Sequence, residues 1–267
     1  MEVLVAWLSA TVPTFLLVFA RTGGLFLQVP VFSSRVLPGP LRVALMIAIS
    51  VLVMFAMPAY VRVPDMLFAF IMLLMQEILV GGLIGFASSI VFLAVQSAGE
   101  LAGVQSGLSA ASVLNPFTRS NVNAFGTLFF NFALLVFLVT GGHLWMLGAY
   151  VQSFRLVPLG TFVLTPDVAN QLILMSGAFL TLTIQLALPI VTVVMLADLG
   201  VGYVSKASPQ ASSLTQDLIL VTKPAAGMAM VVMLLPNLMT LTYQHTEKMI
   251  ADLEALLRAS QPPGQVR

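Results

Sequence analysis

Cysteine is absent from this sequence, which excludes disulfides, thiolate metal sites and cysteine nucleophiles. Charge is nearly as scarce: 8% of the 267 residues are charged, against about 25% in an ordinary soluble domain. The formal net charge of +1 gives no case for nucleic acid or an acidic partner. The two histidines, His143 and His245, are too far apart in the chain to suggest a ligand set, so no metal is expected. No phosphate-binding loop or dinucleotide fingerprint occurs, and no cofactor is implied. No polar stretch is long enough to form a separate soluble domain.

Apolar residues are what the chain has in quantity, at 59%. They gather into six segments near or above the roughly 20 residues that cross a hydrocarbon core as a helix. These are Val3 to Leu27, Leu41 to Ala59, Met66 to Ala98, Ala124 to Phe154, Leu172 to Val204 and Leu218 to Tyr243. The pattern predicts an all-α, integral-membrane type of protein with about six long, partly broken hydrophobic helices. Pro30, Pro38, Pro40, Pro58, Pro64, Pro158, Pro166 and Pro209 fall between segments, where a fixed φ and a missing donor favour turns and helix starts. The N-terminus lacks a basic region and a small-residue cleavage site, so it reads as a first membrane segment.

Several segments hold groups that a lipid-facing span would avoid. Gln76 and Glu77 lie in the third with Gly81, Gly82 and Gly85 close behind, Gln185, Pro189 and Asp198 in the fifth, and Lys223-Pro224 and Pro236-Asn237 interrupt the sixth. Such groups usually face protein or a water-filled cavity. Beyond the last segment, Met249, Ile250, Leu253, Leu256 and Leu257 alternate with charged residues as in a short amphipathic helix,.

Gly99, Gly103 and Gly107 recur every four residues, a helical stripe across which another backbone can approach closely. The stretch that follows, residues 108–121, mixes apolar Leu108, Val113, Leu114, Pro116 and Phe117 with Ser109, Ser112, Asn115, Arg119 and Asn121. Two readings stand beside each other: a helix seam followed by an ordinary polar loop, or a loop packed into a pore as its closure. Glu77, Glu100 and Asp198 are candidate buried charges, either proton carriers at membrane depth or structural groups satisfied within a seam. A serine protease built on Ser106 and His143 is disfavoured, since Gln105-Ser106-Gly107 has no glycine two positions before the serine,.

Three stretches together resemble the FliR family of flagellar export-gate proteins and their type III secretion (SctT-like) counterparts. They are AVQSAGELAGVQSGLS from Ala94, GGHLWML from Gly141 and ALPIVTVVMLADLGVGYVSKASPQ from Ala187. Ser106 departs from the methionine that the family often has, and Asn115 from the acidic residue common before proline. The resemblance implies a non-enzymatic subunit of a helical hetero-oligomer in the bacterial inner membrane, at a flagellar basal body or secretion-system base. Its partners would be several copies of FliP-like and FliQ-like proteins, a FlhB-like switch protein and unfolded exported substrates. Residues 1–160 would correspond to the larger partner, 161–245 to a hairpin like the smaller one, and 246–267 to a polar tail. The loop 108–121 would be the plug of the closed channel. The alternative from the residues alone is a small-solute secondary transporter with a site between broken helices.

Overall fold

The computed structural model describes residues 2–33, 38–56, 66–107, 123–207 and 212–260, and all regular structure among them is helical. In chain order the elements are α1 (Glu2–Gln28), α2 (Pro30–Ser33), α3 (Gly39–Ala56), α4 (Leu67–Gln105), α5 (Ala124–Val139), α6 (Gly142–Leu156), α7 (Pro166–Ala207) and α8 (Ser212–Ala259). Four of them are long and apolar enough to cross a membrane, or up to five spans if α5 and α6 count as one. The architecture is the helical membrane type that the sequence predicts.

Local chemistry sets the ends. Asn123 caps α5, its side chain accepting from the N–H groups of Phe125 and Gly126, which satisfies two of the donors that a helix start leaves open. Gly141, at φ +76°, breaks the fourth apolar segment into α5 and α6, because a left-handed residue cannot continue a right-handed helix. The prolines in the sixth segment act otherwise than expected. Pro224 and Pro236 lie inside α8, which runs unbroken for 48 residues and also takes in the amphipathic tail. A proline removes one donor and leaves one carbonyl free, a loss that an apolar span tolerates when nearby groups compensate.

The chain packs as two compact units. The first contains residues 1–90, 142–175 and 247–267. Its core includes Leu17, Val18, Leu25 and Phe26 of α1, Val80 and Ile84 of α4, Met146 and Tyr150 of α6, and Met249, Leu253, Leu256 and Leu257 at the end of α8. The second contains residues 91–141 and 176–246. There Phe92 meets Phe137 edge-on at 5.0 Å, and Thr183 Oγ1 donates to Phe179 O at 2.8 Å inside α7. Large apolar side chains remain exposed on α3, α7 and α8, Phe55 among them at 86%. Surface of that extent needs lipid or another protein to cover it.

Candidate functional site

Within the first unit, α1 and α4 approach until their backbones touch. A Cβ placed on Gly24 would collide with Ile78 O and Gly82 N, and one on Gly81 would collide with Arg21 O. At Gly85 it would meet Gln28 Cβ at 2.6 Å, whereas at Gly82 nothing lies within 4 Å. Glycine on both helices permits this separation, as small residues do in membrane helix pairs.

Beside that seam sits a fully buried ion pair. Arg21 Nε donates to Glu77 Oε2 at 2.6 Å, with both side chains at 0% exposure. Arg21 Nη1 also donates to Ser153 Oγ at 3.3 Å and to Val157 O at 3.0 Å. The guanidinium carbon stands 4.3 Å from the centroid of the Phe154 ring, within cation–π range. The second carboxylate oxygen of Glu77 accepts the Gly160 N–H at 2.7 Å. Next to it, the Thr22 hydroxyl lies 2.9 Å from Ser50 Oγ and 2.6 Å from Tyr150 Oη. Polar groups of α1, α3, α4 and α6 thus pair with one another where water is excluded, leaving Nη2 as the one nitrogen of the Arg21 guanidinium without a hydrogen-bond partner among the described residues. Such pairing is the condition under which buried charge is tolerated.

The glycine stripe lies in the second unit. A Cβ on Gly99 would come to 2.5 Å of Phe125 O, and one on Gly103 would collide with the amide of Asn123. Asn123 Nδ2 donates to Glu100 O at 2.8 Å. The third glycine differs in setting: Gly107 follows the end of α4 at φ +76°, with nothing within 4 Å of its Cβ position. Ser106 is buried and its Oγ donates to Gly103 O in the preceding turn. Glu100 is on the exposed side of α4 and accepts from Gln96 Nε2 at 2.9 Å. Asp198 of α7 pairs with Lys223 of α8 at 2.7 Å, the two side chains 31% and 26% exposed. The candidate plug residues Leu108, Ser109, Ser112, Val113, Leu114, Asn115, Pro116, Phe117, Arg119 and Asn121 lie outside the described residues.

Of the three flagged carboxylates, two have a basic partner on another helix, Arg21 for Glu77 and Lys223 for Asp198. Sequence reasoning passed over Arg21, although an arginine inside an apolar segment is a signal in its own right. It also passed over Gly24, Ser153 and Gly160, whose parts depend on helix pairing that spacing along one segment does not reveal.

Comparison with known proteins places the chain in a family. A family model described as bacterial export proteins, family 1, matches residues 12–249. The flagellar biosynthetic protein FliR of Escherichia coli K12 is 31% identical over 198 residues, which cover 72% of this chain and 73% of the relative. The FliR of Pectobacterium carotovorum is 30% identical over 78% of each chain. The Yop proteins translocation protein T of Yersinia pestis is 30% identical, with 73% of this chain and 76% of that protein covered.

Proposed function

The chain belongs to the bacterial export proteins of family 1, and from that premise we propose that it is a non-enzymatic subunit of the flagellar or type III secretion export gate. The match over residues 12–249 carries the proposal. It is supported by similarity both to a flagellar biosynthetic protein and to a protein named for Yop translocation. In this reading the subunit forms part of a protein-conducting channel in the bacterial inner membrane, at the base of a flagellum or secretion system. It joins several copies of FliP-like and FliQ-like proteins and a FlhB-like switch protein, and unfolded substrates pass through the assembly. Residues 1–160 play the part of the larger partner, 161–245 that of the smaller, and 246–267 form the tail. Exposed apolar faces on α3, α7 and α8 support a role that requires covering by lipid and neighbouring helices,.

Residues 108–121 act as the plug. The flank of the loop supports this reading: Gly103 packs against Asn123, and Asn123 ties back to Glu100 O, so the residue that follows the loop is anchored on the helix that leads into it. The loop sequence carries hydroxyls and amides without an acidic group, together with the apolar residues Leu108, Val113, Leu114 and Phe117. A gate of this kind must open without unfolding its scaffold. Deletion of residues 110–118 is expected to leave assembly intact and to raise conductance of the purified gate in planar bilayers. A deletion that assembles with no added conductance would remove the plug assignment and leave family membership untouched.

A further inference from the structure

The strap between α6 and α7, residues 157–165, has few backbone partners of its own and is held from two sides within the first unit. One side is the α1–α4 seam: Glu77 accepts the Gly160 N–H, Arg21 donates to Val157 O, and Gln76 Nε2 donates to Phe162 O at 2.7 Å. Gly160 reaches Glu77 through a turn at φ +75°, a conformation that does not suit a residue with a Cβ. The other side is the C-terminal end of α8. Thr165 Oγ1 donates to Ala259 O at 2.7 Å, and the Val163 N–H donates to Ser260 O at 3.3 Å. The same Thr165 hydroxyl accepts the Val168 N–H at 3.3 Å, at the start of α7.

The last carbonyls of a helix have no partner inside it, and here the strap satisfies that of Ala259, the last residue of α8, and that of Ser260 just beyond it. We propose that the Arg21–Glu77 pair is the pin that positions the strap, and that the strap in turn seats the C-terminal end of α8. Docking of the tail is thereby set from inside the α1–α4 seam. Arg21 and Glu77 are positioning residues: they act on the tail through Val157 and Gly160. When the pin is lost, buried strap donors and acceptors are left without partners, which favours local opening of the strap and tail over the closed form.

The absence of native cysteine makes a single introduced thiol a clean reporter. Leu257→Cys, at a position 1% exposed, is placed in the full chain co-expressed with its gate partners, and its maleimide labelling is timed in native membranes. Glu77→Met, which takes away the Gly160 acceptor, and Thr165→Val are each expected to speed labelling about tenfold, as when a hydrogen bond that keeps a local opening closed is lost. The double substitution Arg21→Met/Glu77→Met removes both charges and restores abundance relative to a single change, yet it offers Gly160 no acceptor. It should therefore label fast while accumulating well. Parent-rate labelling in a well-accumulated double variant would overturn the pin, because the pair would then serve only its own burial. Should that variant fail to accumulate, Thr165→Val, which leaves the ion pair intact, decides the proposal, and parent-rate labelling there overturns it.

Discussion

Glu77 contributes through its surroundings more than through its charge. With 0% exposure and hydrogen bonds to Arg21 and Gly160, it joins the guanidinium on one side to the chain after α6 on the other. Glu77→Ala leaves Arg21 buried without a counter-charge, and breaking a buried pair in this way costs about 3 to 5 kcal/mol. The purified complex should then aggregate at a clearly lower temperature, with little protein surviving in the membrane. A melting profile equal to that of the unsubstituted chain would show that Arg21 finds another partner. The carboxylate was legible in the sequence because an acid inside an apolar run stands out. Its partner lies 56 positions earlier in the chain, and only the pairing of α1 with α4 brings the two together.

Among helices, glycine decides which faces can meet, and neighbouring glycines differ sharply. Gly81 faces the α1 backbone and Gly82 faces open space. Gly81→Leu should therefore force the seam apart, at about 1 to 3 kcal/mol or more for overpacking, while Gly82→Leu should be tolerated. Comparing the yield of folded protein for the two variants reads this difference, and equal losses would contradict the packing described. In the second unit, Gly103→Leu should lower recovery of the assembled complex before it lowers membrane insertion, because the side chain would strike Asn123 at the stem of the loop. Unchanged recovery would mean that the contact is dispensable.

Element existence was readable from hydropathy and proline placement, since long apolar runs bounded by turn residues have few alternatives in lipid. Continuity was harder to read. Pro224 and Pro236 lie inside α8, while the fourth segment breaks at Gly141. A proline costs a helix one hydrogen bond that packing can replace, whereas a residue in the left-handed region ends the helix outright. Spacing along one segment likewise grouped Gly107 with Gly99 and Gly103, although it lies beyond the last turn of α4 in a positive-φ conformation.

At the scale of the molecule, apolar composition and exposed helix faces require an environment that the chain does not supply itself. Polar and glycine-rich seams are matched by protein partners more readily than by lipid tails. A secondary transporter would be recovered as a monomer or a small homo-oligomer, whereas a gate subunit needs different chains around it. The most direct test is native mass spectrometry of gently extracted membranes, from cells with the other gate genes and from cells without them. The account predicts a complex of this chain with several copies of smaller helical proteins in the first case, and loss of the chain in the second. A stable, folded monomer recovered in the absence of those genes would contradict it.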